Sequence, residues 1–495
     1  MSEKIVILGA GPTGLGAAYR LKELGYTNFH MYERSPYIGG LASSFTKNGF
    51  TWDIGGHVMF SHYKYYDEVF DKLMGDHYQM NMRESWVRMF DRWVPYPFQN
   101  NIRYLPKEIA YECLAGVIDA QHNNDPKDAK NFGEFMDAVF GEGIVKHFMK
   151  PYNFKVWAHP AKMMNKEWIG ERVAVIDINR ALKNVMLETD DFAWGPNNQF
   201  KFPLTGGTGE FYRRFGPVLE GHYTLNKEAV SVNVQKKEIK FADGEIVKYD
   251  RLITAMPLDR LCNNVLRGEV PEDVRDATSG LRHSSGYMVG IGIKQKCPST
   301  KSWMYFPEDN CPFYRVTYLS NYSPNMTPNY EEYYSLLCET SCSDYKPVDG
   351  TRIVEDTIQG LINSGMISEA DRKDIVSTWT YYADYSYPTP TVDRDSILSR
   401  SIPWLEANQI YSRGRFGMWK YEVANTDHSL MQGVELIDRL LLGQNEVTIG
   451  VRYSSTEDGR EAAVHERPLV AGSGEKRILL NGHASKNGKD KVSLM

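Results

Sequence analysis

Residues 4–26 read KIVILGAGPTGLGAAYRLKELGY, an apolar run, a glycine-rich turn and then an amphipathic stretch. Gly9, Gly11 and Gly14 fall in the pattern G-x-G-x-x-G between an expected strand and an expected helix. Without side chains, these positions permit a tight turn, a close approach of backbone to a pyrophosphate, and close helix–strand packing. The helix start then offers unpaired N–H groups and a partial positive charge to the anion. NFHMYERS supplies a second strand that ends at Glu33, 19 residues after Gly14, where an acid accepts hydrogen bonds from ribose hydroxyls. A lone glycine motif is weak, but with strand, helix and acid all in register it predicts a dinucleotide-binding unit at the N-terminus.

At 495 residues the chain has room for two or three domains. The predicted class is α/β, with a Rossmann-like dinucleotide-binding domain, an inserted helical domain and an antiparallel β-sheet domain. Patterning assigns 1–75, 200–265 and 405–443 to the first, 102–195 to the second, and 76–101 with 266–404 to the third. Residues 444–495 are polar and glycine-rich and read as a loosely held tail. A net charge of −6 without a dense basic stripe argues against a nucleic-acid partner. Six cysteines without a CxxC pair fit a reducing compartment and no zinc site. No apolar run approaches membrane-spanning length, and the start lacks a signal-peptide layout, so the expectation is a cytoplasmic protein with no membrane partner. Homo-oligomerisation is left open.

Four later stretches select FAD over NAD. ERSPYIGGLASS follows the acid directly, with Arg34 before Gly39 and Gly40, and resembles the way glutathione-reductase-type flavoproteins continue their fold. FPLTGGTGEF (202–211) and RLITAMP (251–257) resemble further flavoprotein segments. RGRFG before the last long helix suits a helix start that faces a flavin ring.

Beyond the cofactor, GGHVMFSHYKY, WVPYPFQNN, PYNFKVWA, GERVA, WGPNNQF, YFPEDNCPFYR, SNYSP, YPTPT and SRGRFGMWKYEV span residues 4–440 in company with the FAD motifs. In these the chain resembles the UDP-galactopyranose mutases of the eukaryotic type. The resemblance implies an FAD enzyme that interconverts UDP-galactopyranose and UDP-galactofuranose, with reduced flavin N5 as nucleophile at the anomeric carbon. It also implies NADPH as reductant, and, since a second dinucleotide fingerprint is not evident, NADPH would use the substrate cleft transiently.

The same resemblance assigns residues. Arg172 and Arg315 match the pair that clamps the diphosphate, where a planar guanidinium fork suits phosphate oxygens. From local sequence alone, Arg172 reads better as a solvated helix arginine beside Glu171. Tyr305, Tyr387 and Tyr421, with Tyr322 less firmly, match tyrosines that donate to the phosphates; each alone reads as core. Asn153 and Trp157, four apart on a helix, match the nucleotide pocket, and Asn197 lies on a turn suited to a lid. His57, after Gly55 and Gly56, matches a flavin-adjacent histidine, while Arg415 and Asn425 flank the last helix and hold flavin or sugar. WVPYPFQNN is expected to stay extended through Pro95 and Pro97, so that Tyr96 and Phe98 share a face for stacking on uracil and Gln99 pairs with its edge. Read without the resemblance, it is an edge strand whose rings enter a core. The runner-up activity is a flavin amine oxidase, which shares the N-terminal architecture.

Overall fold

The computed structural model describes residues 2–169, 176–191 and 198–450. Its N-terminal half-sheet has five parallel strands in the order Ile410–Ser412, Arg251–Thr254, Ile5–Leu8, Phe29–Tyr32 and Tyr223–Thr224. All four residues of Ile5–Leu8 are buried, as a strand covered on both faces requires, which is why IVIL is continuously apolar instead of alternating. Helix Pro12–Glu23 packs on one face beside helix Thr426–Leu442. The two backbones touch. A Cβ on Gly16 would lie 2.2 Å from the Leu430 carbonyl oxygen, and one on Gly433 would lie 2.0 Å from that of Thr13. On the other face, Leu8, Leu252 and Ile410 pack with Val232, Ile239 and Phe241 of the four-stranded sheet built from residues 229–267.

A seven-stranded sheet forms the second layer. Its order is Ile375–Thr389, Arg282–Ile293, Tyr334–Cys342, Arg315–Tyr318, Trp303–Tyr305, Ser85–Met89 and Arg92–Pro95. Neighbours run antiparallel except Trp303–Tyr305 and Ser85–Met89, which are parallel. Helices Lys107–Asn123, Phe132–Ile144 and Lys150–Trp157 cover one end of this sheet. Their core joins Phe98, Phe140, Phe148 and Trp157 to Val87 and Val94 of the edge strands.

Two expectations are corrected. Residues 93–101 do not stay extended: the strand stops at Pro95 and Phe98–Asn100 form a 3-10 turn. The turn is fixed by its amides, because Asn101 Nδ2 donates to the Pro97 and Asp191 carbonyls and Asn184 Nδ2 donates to that of Asn100. The loosely held tail, for its part, does not begin at 444. Glu446, Val447, Thr448 and Ile449 are buried. Glu446 pairs with Arg413 at 2.5 Å and Arg439 at 2.6 Å, and Thr448 donates to Glu435 at 2.7 Å. A buried carboxylate next to two guanidiniums is held there by charge, whatever the glycine content that follows.

Candidate active site

The glycine turn has the geometry its spacing implies. Gly9 has a φ of +106°, and a Cβ on Gly14 would lie 1.9 Å from the Gly9 carbonyl oxygen, so neither position tolerates a side chain. Gly11 caps helix Pro12–Glu23 without a side-chain hydrogen bond, which leaves the first-turn N–H groups to an outside acceptor. Gly39 (φ +110°) donates its N–H to the Ala10 carbonyl, and Gly40 (φ +55°) brings its backbone against Gly11. Glu33 is buried and accepts from Ala10 N and Ser35 N, both at 2.8 Å. These residues fit FAD: an uncapped helix start lined by side-chain-free backbone, with an oriented acid at the end of the second strand. Arg34 lies close enough to Tyr381 to act electrostatically on its hydroxyl. Asn425 caps the start of helix Thr426–Leu442, whose dipole places positive potential there.

His57 follows the Gly55–Gly56 turn. Its ring is half-buried, but Nδ1 is closed from solvent without a hydrogen-bond partner among the described residues. Burial lowers its pKa to about 4, Glu339 opposing the shift and Arg315 and Arg415 adding to it. The imidazole is therefore neutral at pH 7. His57 and the two arginines belong to one electrostatic neighbourhood, although they arrive from three parts of the chain.

Arg315 starts a strand directly opposite Glu339. Its Nε and Nη2 donate to the two Glu339 oxygens at 2.6 and 2.8 Å. Glu339 also accepts from Gly56 N at 3.1 Å and from the Tyr314 hydroxyl at 2.9 Å. Despite burial, these contacts hold its carboxyl below the usual range and push the Arg315 guanidinium well up. The pair is an ionised one.

Around it stands a wall of rings. Trp157 meets Tyr421 at 4.6 Å and Tyr387 at 5.8 Å, and Arg415 lies 4.9 Å over Tyr387 and 5.7 Å over Tyr421. The Tyr387 and Tyr314 hydroxyls are 3.2 Å apart. Tyr305 joins from the sheet edge, with Tyr96 at 5.1 Å and Tyr152 at 5.4 Å. Tyr96, Tyr305, Arg315, Tyr387, Arg415 and Tyr421 are all half-buried, as groups that line a cleft are.

Other expected residues stand further back. Phe98 is fully buried and stacks on Phe148 at 4.4 Å, and so presents no face for a base. Gln99 is buried at the same turn. Asn153 turns its amide onto its own helix, donating to the Met149 carbonyl at 2.7 Å. Tyr322 packs its ring between Phe200 and Phe202 in the core, while its hydroxyl has no partner among the described residues and feels the Arg315 charge. Arg172 and Asn197 lie outside the described residues. Among the described residues, one group of possible metal ligands, His62, Asp427 and His428, gathers within 4.8 Å, and His62 Nδ1 donates to Asp427 at 2.7 Å within it. Sequence reasoning missed Glu339, Tyr314 and Tyr152. Only Glu339 left a signal: it is the single acid in the otherwise uncharged strand YSLLCETSC.

A model of the flavin containing amine oxidoreductase family matches residues 12–396. A crystal structure of reduced UDP-galactopyranose mutase superposes with a TM-score of 0.88 at 45% identity, covering 91% of this chain and 96% of that one. A putative protoporphyrinogen oxidase from Exiguobacterium sp. 255-15 shares the fold at a TM-score of 0.68 and 15% identity, over 90% and 100% of the two chains. Protoporphyrinogen oxidase 2 of Arabidopsis thaliana is 39% identical over 168 residues, 30% of this chain and 32% of that protein, so the match spans about a third of that curated relative. Of these three, the mutase combines similarity in sequence with a match along its length. The chain belongs to the flavin containing amine oxidoreductase family and, within it, to the UDP-galactopyranose mutases.

Proposed function

We propose that this protein interconverts UDP-galactopyranose and UDP-galactofuranose as an FAD-dependent isomerase. The observation that carries the reading is the meeting of Arg315, Arg415 and the tyrosines 305, 387 and 421 at the loop that holds His57. An amine oxidase needs an apolar or aromatic cage for a neutral amine, and two guanidiniums at its wall would repel a protonated one. A diphosphate needs those cations.

Bound and reduced, the flavin supplies the nucleophile at the anomeric carbon. The chain supplies the rest. Arg315 keeps Nη1 for phosphate oxygens while Glu339 holds its other two nitrogens, so the fork is oriented before substrate arrives. Tyrosine hydroxyls at 305, 387 and 421 donate to the same phosphates, and Arg172 completes the clamp. Together they stabilise UDP as it leaves and retain it for the return step. Neutral His57 neither competes for the diphosphate charge nor releases a proton as the sugar ring opens. By the same resemblance Asn197 also belongs to the ligand site, and Tyr96 and Trp157 stand towards its nucleoside end, with Asn153 and Gln99 buried behind them. In this reading NADPH delivers the reducing equivalents from the same cleft, the protein is cytoplasmic without a membrane partner, and the chain divides into the three domains of the sequence patterning, with the first extended through Ile449.

UDP-galactofuranose incubated with dithionite-reduced protein should yield UDP-galactopyranose by anion-exchange chromatography. Oxygen consumption with amine substrates, and no pyranose product, would establish the oxidase instead.

A further inference from the structure

Two parts of the site share one carboxylate. Glu339 sits in the middle of the seven-stranded sheet at 2% exposure, where an ionised acid persists only if its lone pairs are filled. Four donors fill them, and they fall into two groups. Arg315 Nε and Nη2 and the Tyr314 hydroxyl come from the strand and residue that face the diphosphate end. The Gly56 N–H comes from the turn that carries His57. The turn is seated tightly: a Cβ on Gly56 would lie 2.6 Å from Thr317 Oγ1 and 3.3 Å from Glu339 Oε1, so a side chain there would push against the carboxylate that its N–H reaches. Gly55, with φ +92°, makes the reversal that aims it. Tyr314 extends the connection to the Tyr387 hydroxyl, 3.2 Å away.

We propose that Glu339 is the positioning residue of this site, orienting Arg315 for the diphosphate with the same carboxylate that anchors the Gly55–His57 turn. The inference rests on the mutase reading for the identity of the diphosphate. Its physical content is separate. By occupying Nε and Nη2, Glu339 fixes the guanidinium plane and leaves Nη1 as the ligand-facing donor, and its negative charge sits beneath the turn beside the flavin position. Replacing it by glutamine keeps the shape but removes the charge and one of the two acceptor oxygens, and sets an amide N–H against a donor. Replacing it by aspartate keeps the charge but shortens the reach, so the two-point hold on Arg315 is lost.

The test uses the full chain loaded with FAD and two readouts other than turnover: UDP affinity by titration calorimetry and the flavin midpoint potential. Glu339→Gln is expected to weaken UDP binding by about tenfold or more and to move the potential to more positive values, since adding an electron no longer opposes a nearby fixed negative charge. Glu339→Asp is expected to weaken UDP binding while leaving the potential close to that of the wild type. Unchanged UDP affinity in either folded variant overturns the proposal, as does a loss of thermal stability alone. If Glu339→Gln does not fold, the aspartate variant decides. Failure of the wild-type protein to bind UDP would sink the mutase reading instead, and a potential unmoved by Glu339→Gln would then overturn the anchoring half by itself.

Discussion

Arg315 is worth more to this site than its charge alone, because its orientation is already fixed in the free protein. Removing a charged hydrogen-bond partner typically costs about 1.5–3 kcal/mol. Arg315→Ala should therefore weaken UDP binding roughly ten- to a hundredfold by calorimetry, with the visible flavin spectrum unchanged, since its contacts are to Glu339 and not to the glycine turn. Loss of FAD from this variant would mean the arginine belongs to the cofactor. Phe98 is the contrasting residue. It reads in sequence as a stacking platform, yet it has no exposed surface and sits face to face with Phe148. Phe98→Ala should cost about 3–5 kcal/mol of stability through the cavity it opens, seen as a lower melting temperature. A selective loss of UDP affinity at unchanged melting temperature would restore the platform role.

Segments, more than single residues, carry the C-terminal fastening of the fold. Residues 446–449 lie as a strap along helix Thr426–Leu442, with Val447 N, Thr448 N and the Thr448 hydroxyl all donating to Glu435. Burial, with Glu446 adding to it, pushes Glu435 up from 4.5 to about 7. An acid whose folded pKa is raised is favoured in its protonated form. Its stabilising contribution is whole below pH 4.5, is lost as pH rises towards 7, and is absent above that, a swing of about 3 kcal/mol. Glu435→Gln mimics the protonated state. The wild type should fall behind this variant in melting temperature as pH is raised from 5 to 8, and parallel curves would show that Glu435 does not titrate there. Elements with a strong period were legible in sequence: the strand Ile5–Leu8, helix Pro12–Glu23 and strand Phe29–Tyr32 stand where their patterns put them. The turn at 98–100 and the strap were not, because long-range partners fix both, Asn184 and Asp191 for one and Arg413 and Glu435 for the other. No local pattern encodes a partner tens or hundreds of residues away. The site divides the same way. The glycine turn announces itself by spacing, and the arginine and tyrosines by resemblance. Glu339 is visible only once the sheet sets it opposite Arg315.

For the whole molecule, the ring contraction is redox-neutral, so a demand for reduced FAD would identify the flavin as a participant and not only a prop. Turnover should appear on dithionite reduction and vanish on reoxidation, and equal rates in both states would refute that role. FAD itself should raise the melting temperature in a concentration-dependent way, because it binds only the folded arrangement of the glycine turn. That arrangement is assembled from distant parts of the chain. Strand Ile5–Leu8 pairs with Arg251–Thr254, which pairs in turn with Ile410–Ser412, and Gly16 rests on Leu430. On the ribosome, then, the nascent N-terminus waits. The strand Ile5–Leu8 and helix Pro12–Glu23 have no finished sheet to join until strand Ile410–Ser412, nearly four hundred residues on, has followed, and they spend that interval with apolar surface uncovered. A chain released before strand Ile410–Ser412 should be unable to hold FAD, however intact its glycine motif, and should depend on chaperones while the complete chain does not.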